Sequence, residues 1–535
     1  MSTTTPLNEI AAPQDKRWLT RLLNTVEWFG NLLPHPITLF ALLSATVIVG
    51  SAVAAYFGLQ VQDPRPVGAS GRSADGMITV ISLMNGAGLA KIISNLVSNF
   101  TNFVPLGTVL VAMLGVGVAE QSGLLSAAMR SVVIGAPRRM VTVAIVFAGI
   151  MSNTAGELGY VVLIPMAAMI FHSLGRHPLA GLAAAFAGVS GGYSANLVLG
   201  TIDPLLAGIT QTAARLIDAG YEVGAEMNWY FMAASTLVIT LLGALITEKI
   251  VEPKLGKFSP ETDFTLDEEQ TMGKLTAIEK KGLLAAGVAL LICSALLLCA
   301  VLPEGAPLRN AKTGLIAHSP FLNGIVAFIF VFFMIPGFVY GRTVGNMKND
   351  KDIINAMVKS MNGMGLYIVL VFFAAQFVAF FGWTHFGSVI AVKGATILQD
   401  SGLTGPAMFF FFIAMCGLIN LMIGSASAQW AVTAPIFVPM LMLIGYAPET
   451  VQAAYRIGDS VTNLITPMMS YFGLIVAMAS RYQKNLGLGT LIAMMLPYSL
   501  MFAVCWSVFF YLWVFVFNIP VGPGAETFYS VLKHG

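Results

Sequence analysis

A stretch of small and polar residues interrupts a long apolar segment in the C-terminal half of the chain. Residues 423–430 are Ile-Gly-Ser-Ala-Ser-Ala-Gln-Trp, and apolar residues flank them at 408–422 and 431–444. Each apolar arm is shorter than the roughly 20 residues that cross a bilayer once. A helix break at membrane depth is tolerated only inside protein or beside a polar cavity. The pattern therefore predicts that 405–446 is a hairpin that enters the membrane and leaves by the same side.

A second stretch of this kind lies in the N-terminal half. Residues 151–156 are Met-Ser-Asn-Thr-Ala-Gly, in an apolar region between Arg139 and Arg176. Broken apolar segments at corresponding places in two halves indicate the binding site of a secondary transporter. The composition agrees, because only 10% of the residues are charged, against about 25% in soluble domains. We therefore expect an all-α polytopic membrane protein with two re-entrant helical hairpins.

The positive charges predict how the spans are oriented, because Lys and Arg collect on the cytoplasmic side. Lys16, Arg17 and Arg21 place the N-terminus in the cytoplasm. Nine transmembrane helices are expected besides the hairpins, at about 36–57, 103–118, 179–209, 230–250, 282–302, 320–340, 363–381, 451–479 and 488–517. Two further segments, 78–97 and 386–398, are expected to lie along the membrane interface.

The chain also contains an internal repeat. Residues of the first half recur 270 positions later: Pro165 with Pro435, Gly175 with Gly445, and Pro178 with Pro448. The first and sixth spans run in opposite directions, so the halves have inverted topology. Inverted repeats with broken helices are typical of alternating-access carriers.

Hydroxyl and amide oxygens cluster at both predicted tips. Ser152, Asn153 and Thr154 lie in the first tip, and Ser425 and Ser427 in the second. Na⁺ needs several oxygen ligands, which Ser, Thr and Asn side chains and unwound carbonyls supply. We therefore predict a Na⁺ site that involves the three residues of the first tip and Ser425. The alternative is a pair of tight turns that these residues cap.

Ionisable residues lie within the third and eighth spans. Asp203 is in the third, whereas Arg456 and Asp459 share one helix face in the eighth. Each such group costs at least ~2.5–3.5 kcal/mol inside a membrane and is functional by default. Arg456 would suit a substrate carboxylate, and one aspartate would bind the coupling ion, Na⁺ or H⁺. The alternative is a structural ion pair between Arg456 and one aspartate. Glu157 is a weaker candidate.

Three neutral residues complete the predicted binding site. Trp430 directly follows the second tip, where its ring could stack on a flat aromatic substrate or simply pack. Asn196 and Asn463 lie at the two broken spans and could donate carbonyl oxygens to an ion or a substrate. Both could equally satisfy unpaired backbone groups.

An enzyme and a channel are the rival classes. A membrane hydrolase needs a nucleophile–base or metal constellation, and the chain has no HExxH motif. A channel fits the hydropathy but does not require paired inverted hairpins. With a net charge of +2 and no basic patch, we expect no nucleic-acid partner. We also expect no cofactor.

Four motifs resemble the p-aminobenzoyl-glutamate transporter (AbgT) family, in its efflux branch. They are Ser-Ala-Ser-Ala-Gln-Trp at 425–430, Tyr-Arg-Ile-Gly-Asp-Ser at 455–460, Gly-Val-Ser-Gly-Gly-Tyr-Ser-Ala-Asn at 188–196 and Gly-Thr-Ile-Asp-Pro at 200–204. The resemblance implies a homodimer in the bacterial inner membrane. It also implies a scaffold domain and a mobile, elevator-type transport domain that holds both hairpins.

The same resemblance implies the substrates: p-aminobenzoyl-glutamate, p-aminobenzoate and, for export, sulfonamide antimetabolites. The implied substrate and transport residues are Asp203, Ser427, Trp430, Arg456, Asp459 and Pro467. The corresponding division of the chain is 1–35 (cytoplasmic), 36–139 (scaffold), 140–210 (transport), 211–281 (fourth span and linker), 282–404 (scaffold), 405–484 (transport) and 485–535 (last span and tail). An ion-coupled secondary transporter is the predicted function, with import and export both open.

Overall fold

The computed structural model describes residues 34–65, 72–155, 159–258, 275–316, 319–483 and 486–530. The predicted cytoplasmic charges Lys16, Arg17 and Arg21, the candidate Glu157 and residues 259–274 of the linker lie outside the described residues.

The structure is mostly helical, as predicted. The helices of the first half are α1 (Pro36–Tyr56), α2 (Gly86–Thr101), α3 (Val104–Gln121), α4 (Leu124–Ile134), α5 (Val141–Ser152), α6 (Ile164–Ser173), α7 (Pro178–Phe186), α8 (Ile202–Ala214), α9 (Trp229–Ile246) and α10 (Glu252–Leu255). Those of the second half are α11 (Ala277–Val301), α12 (Pro320–Asn323), α13 (Ile325–Val344), α14 (Asp350–Asn362), α15 (Gly365–Trp383), α16 (Phe386–Asp400), α17 (Met408–Asn420), α18 (Ala426–Ile444), α19 (Pro448–Thr462), α20 (Phe472–Ser480) and α21 (Leu488–Tyr511).

The chain is a multi-pass membrane protein. Within the described residues, eight helices are long and apolar enough to cross a bilayer, or nine if the bent pair α4–α5 counts as one span. Seven of the eight match predicted spans. The eighth is α18, a hairpin arm that is longer than the predicted 431–444 because it already begins at Ala426, inside the stretch 423–430 that was predicted to be the break.

Both predicted hairpins return to their starting points. At the open end of the first, Arg176 Nη1 after α6 donates to Thr142 Oγ1 in α5 over 2.8 Å. At the open end of the second, Tyr446 Oη after α18 donates to Thr404 O before α17 over 2.8 Å. The tips are therefore the turns that follow α5 and α17.

The third and eighth predicted spans are broken, as expected. α7 continues as a π turn, Ala187–Gly191, and the chain is then unwound until α8 begins at Ile202. α19 ends at Thr462, and α20 begins only at Phe472. Every residue of α7 and all but the last residue of α19 are buried, so these two helices lie at the centre of the molecule.

One part of the predicted interfacial segment 78–97 is not helical. Strands β1 (Gln60–Gln62) and β2 (Met77–Thr79) pair antiparallel, with Val61 opposite Ile78. These two side chains pack against Val389 of α16. The sequence pattern missed the strands because each is only three residues long. Residues 80–85 are neither strand nor helix, residues 86–97 belong to α2, and the predicted segment 386–398 lies within α16.

Candidate functional site

The hairpin tips pack against the helix breaks. In the first half, Asn153 Nδ2 donates to Val189 O in the π turn over 2.9 Å. In the second half, Thr466 Oγ1 in the break donates to Leu421 O in the tip over 3.0 Å. In each half, the hairpin tip and the broken span therefore supply hydrogen-bond partners to one another, as non-helical backbone at membrane depth requires.

The two halves meet at the centre of this arrangement. Ser194 N, in the break after α7, donates to Ser460 Oγ of α19 over 3.2 Å. The rings of Tyr160 and Tyr471 stack with their centroids 4.8 Å apart. The tips and breaks of both halves thus form one buried region, which contains most of the predicted site residues.

A buried ion pair joins the two broken spans. Arg456 Nη1 lies 2.6 Å from Asp203 Oδ1, and the two residues are 1% and 3% exposed. Gly200 N also donates to Asp203 Oδ2 over 2.7 Å. Because Asp203 lies in the first turn of α8, its charge also interacts favourably with that helix terminus. This conformation therefore matches the alternative prediction, in which Arg456 forms an ion pair with one aspartate. The partner is Asp203.

Asp459 lies one turn after Arg456 in α19 and is 1% exposed. Within the described residues, its Oδ1 atom has no hydrogen-bond partner. A buried carboxylate oxygen in this state is costly unless a proton or cation compensates it. This geometry favours Asp459 as the aspartate that binds the coupling ion.

Asn420, the last residue of α17, is a site residue that the sequence analysis missed. Its Nδ2 atom donates to Asp459 O over 2.7 Å and to Asn463 Oδ1 over 2.8 Å. Its Oδ1 atom has no partner among the described residues. The sequence feature that could have identified Asn420 is its position as a polar residue at the end of an apolar arm. Asn463, whose side-chain carbonyl oxygen was predicted to bind an ion or a substrate, instead accepts a hydrogen bond from the hairpin in this structure.

The predicted Na⁺ ligands of the first tip are buried. Ser152 Oγ donates to Gly149 O over 2.6 Å, and Thr154 Oγ1 donates to Met151 O. Both hydroxyl groups keep lone pairs, whereas Asn153 Oδ1 lacks any partner in the described part of the chain. The Na⁺ site stays a prediction, to which the geometry contributes available neutral oxygens.

The first break adds two more such oxygens. Ser194 Oγ and the predicted Asn196 Oδ1 are buried and, within the described ranges, have no hydrogen-bond partners. No cluster of three or more His, Cys, Asp or Glu side chains suited to a metal ion is found among the described residues. A cation near this break would therefore depend mainly on neutral oxygens, which suits Na⁺ better than a transition metal.

The second tip is more open than the first. Ser425 caps α18, since its Oγ accepts from Ala428 N over 3.5 Å and lies 3.4 Å from Ser427 Oγ. Both serines are half-buried, as is Pro467 in the facing break. Gly424 packs directly on this break, because a Cβ atom there would lie 2.8 Å from the backbone of Met468.

Trp430 is fully buried in this conformation. Its ring stacks on Tyr455 with the centroids 4.2 Å apart, and Nε1 donates to Thr210 Oγ1 of α8 over 2.8 Å. Thr210 in turn donates to Gln452 Oε1. Trp430 is therefore a packing residue here, and its stacking on a substrate stays a prediction.

These contacts begin a hydrogen-bonded chain that leaves the site. Gln452 Nε2 donates to Asn228 Oδ1 over 2.9 Å, and Asn228 Nδ2 donates to Glu449 O over 2.8 Å. This hydrogen-bonded chain of side chains thus runs from Trp430 through α8 and α19 to the segment before α9. All its side chains are buried.

Replacing Thr210 with valine is expected to destabilise the protein by about 1–3 kcal/mol, because Trp430 Nε1 and Gln452 Oε1 would both lose their partner. Thermal unfolding of the purified protein measures the effect. Thr212→Val is the matched control, since Thr212 Oγ1 only donates to Gly208 O in its own helix. Equal unfolding temperatures for the two variants would contradict the prediction.

One short match to an enzyme motif is coincidental. Residues 188–192, Gly-Val-Ser-Gly-Gly, fit the G-x-S-x-G pattern of hydrolases. That motif needs an exposed serine on a strand-to-helix turn. Ser190 instead lies in the π turn, is fully buried and donates to the sulfur of Met469 over 3.3 Å.

The chain is similar to known transporters over nearly its whole length. Residues 21–529 match the model of the AbgT putative transporter family. The p-aminobenzoyl-glutamate transport protein of Escherichia coli (strain K12) is 37% identical over 505 residues, which cover 94% of this chain and 96% of the relative.

Two solved structures also superpose closely. MtrF of Neisseria gonorrhoeae, from a class of antimetabolite efflux pumps, is 61% identical with a TM-score of 0.89 and covers 95% of this chain and 100% of its own. The YdaH transporter of Alcanivorax borkumensis is 44% identical with a TM-score of 0.84 and covers 92% and 100%. With these relatives, a family match over almost every residue, and two hairpins that meet two broken helices, this chain belongs to the AbgT transporter family.

Proposed function

We propose that the protein is an ion-coupled carrier of p-aminobenzoyl-glutamate, p-aminobenzoate and similar aromatic carboxylates, and that it exports sulfonamide antimetabolites. The observation that carries this proposal is the buried pair of Arg456 and Asp203 between the two broken spans. Buried ion pairs add little stability over apolar packing. Ionisable groups at membrane depth instead mark substrate and ion pathways. The substrate of the E. coli relative and the efflux activity of MtrF support the choice of substrates.

The ion pair suggests how substrate and ion are coupled. A substrate carboxylate that binds Arg456 competes with Asp203 for the same guanidinium group. Asp203 would then be buried without its counter-charge, at a cost of several kcal/mol. Binding of H⁺ or Na⁺ removes that cost, so the substrate and the cation stabilise each other's binding. Ser427 at the second tip and Pro467 in the facing break, both half-buried, complete the proposed substrate site.

A sodium-coupled importer of the same substrates is the second candidate. The buried oxygens of Asn153 and Asn196, which lack partners within the described residues, favour it. A channel is less favoured, because a tight ion pair between two halves blocks a continuous path. The proposal further includes a homodimer in the bacterial inner membrane, a cytoplasmic N-terminus, an inverted repeat and elevator-type movement of the hairpins.

Transport into proteoliposomes is expected to be saturable and driven uphill by one cation gradient. Labelled p-aminobenzoyl-glutamate and p-aminobenzoate are supplied while sodium and pH gradients are imposed separately and in both orientations. A cation gradient in the direction of substrate movement drives accumulation by cotransport, which the mutual stabilisation of substrate and cation predicts. A gradient in the opposite direction drives accumulation by exchange, which export against an inward cation gradient requires. Flux that stays linear in substrate concentration and never concentrates it would contradict a carrier and favour a channel.

A further inference from the structure

A cavity of about 340 Å³ lies where α8 ends and α9 begins. Val104 and Thr108 of α3 and Val326 of α13 form one wall, and α3 packs against α13. Gln211 of α8, Glu449 of α19 and the segment 222–227 form the other wall. The cavity thus lies beside the contact between α3 and α8, with helices that contribute no residue to the candidate site on one side and helices that carry it on the other.

Glu226 lines this cavity and is 5% exposed. Its Oε2 atom has no hydrogen-bond partner among the residues that the structure describes. The carboxyl group lies directly over Gly224, where a Cβ atom would collide with both of its oxygens. A buried carboxyl group with one oxygen left without a donor favours the protonated form.

The electrostatic surroundings of Glu226 do not offset this burial. The residues of α3, α12 and α13 that line the cavity are uncharged. Among the described residues, Glu222 and Glu449 line the same cavity and Arg215 lies beside Glu222, whereas Asp218, Tyr221, Glu526 and Tyr529 line a neighbouring cavity. Arg215, the one cation in this set, lies 3.9 Å from Glu222, and Tyr221 Oη donates to Glu449 Oε2 over 2.9 Å.

Glu226 belongs to the segment between α8 and α9, outside the membrane-spanning helices. Burial raises the pKa of Glu226 to about 7, although a hydrogen bond from its own backbone N–H lowers it. Because the folded-state pKa is raised, the associated stability is fully present below the usual glutamate pKa of 4.5 and is lost as the pH rises through about 7.

The cavity is also connected to the candidate site. Asn228, two residues after Glu226, belongs to the hydrogen-bonded chain that reaches Trp430 through Gln452 and Thr210. A change in the packing of the segment around Glu226 would therefore move a partner of α19. The same helix carries Arg456 and Asp459.

We infer that Glu226 is a proton-binding site, and that its protonation controls how closely α8 and α19 pack against α3 and α13 during transport. The proton passes from solvent water to Oε2, and no other bond changes. Solvent reaches the cavity beside Glu222, whose side chain is 72% exposed. The role in transport rests on the proposed function, whereas the proton binding does not.

Infrared difference spectroscopy of the full-length protein tests the proton binding without any substrate. Between about pH 5 and about pH 9, the carboxylic-acid C=O absorption is expected to include a component from Glu226 that titrates with a midpoint near 7. Because Glu449 and Asp459 are also buried carboxyl groups, this component is read from the difference between the parental and the Glu226→Gln titrations, and it should be retained in Glu222→Gln, the control from the same cavity. A parental titration that Glu226→Gln leaves unchanged overturns the proton site.

Proteoliposome transport tests the second part of the inference. The rate of p-aminobenzoate transport by the parental protein and by Glu222→Gln should change with the pH on the cavity side. Glu226→Gln, an isosteric mimic of the protonated form, should lose that dependence and keep the rate found at low pH. An unchanged pH profile in Glu226→Gln overturns the role in transport. If the parental protein moves no p-aminobenzoate, the proposed substrate fails and the infrared titration still decides the proton site.

Discussion

Arg456→Ala is expected to abolish p-aminobenzoate transport in proteoliposomes. The substitution removes the predicted partner of the substrate carboxylate. It also leaves Asp203 buried with no counter-charge, which costs about 3–5 kcal/mol. In the substrate-bound state, losing the buried pair between Arg456 and the substrate carboxylate has a similar cost, which lowers the transport rate by at least about a hundredfold. Initial rates at saturating substrate, normalised to the amount of reconstituted protein, measure the effect.

Two controls separate the loss of binding from the loss of folding. Arg130→Ala removes an arginine that pairs with Glu279 in a partly exposed setting, and it should change transport little. The double variant Asp203→Asn with Arg456→Gln removes both charges and should recover most of the unfolding temperature but none of the transport. Parental transport by Arg456→Ala would exclude the proposed carboxylate-binding role.

Gly424→Ala is expected to reduce transport by at least about tenfold and to destabilise the protein by about 1–3 kcal/mol. The added methyl group would lie 2.8 Å from the carbonyl carbon and oxygen of Met468. Because those atoms are backbone, they cannot turn aside as a side chain can. The second tip must therefore separate from the break in the eighth span. Transport rate and thermal unfolding are measured on the same preparation.

Gly473→Ala is the matched control for this substitution. Gly473 lies in α20, just beyond the same break, and a Cβ atom there meets nothing within 4 Å in the described structure. Alanine should stabilise this helix by up to about 1 kcal/mol. Loss of transport in both variants, or in neither, would show that the contact between tip and break is not what Gly424 maintains.

Prediction succeeded where the chemistry is local to the chain. The hairpins and the broken spans follow from apolar runs that are too short or too polar to cross a bilayer intact. The same runs place Asn153 at the first tip and Asp203 at the start of the helix after the first break, where the structure also has them. Ser427 and Arg456 instead lie inside α18 and α19, and the length of α18 was underestimated because the helix begins at Ala426, within the predicted break. The roles of all four residues stay predictions.

Prediction failed where two distant segments must meet. Asn420 looked like the end of an apolar arm, yet it bonds to residues of α19 that lie about 40 positions away. Thr210, Gln452 and Asn228 looked unremarkable singly, but they form the chain that reaches Trp430. The partners lie 39 to 242 positions apart in the sequence, and the residues between them do not show which helix faces will touch.

By itself, the sequence determined that the chain spans a membrane many times, that it unwinds inside its apolar regions, and where the unwinding occurs. These properties depend on the cost of placing unpaired backbone groups and charges in lipid, which is summed residue by residue along the chain. Only the tertiary structure decided that Arg456 pairs with Asp203 rather than Asp459. It alone also left the Oε2 atom of Glu226 without a hydrogen-bond partner among the described residues. Both outcomes depend on distances between helices, because electrostatic and hydrogen-bond energies are set by contacts and burial, not by sequence separation.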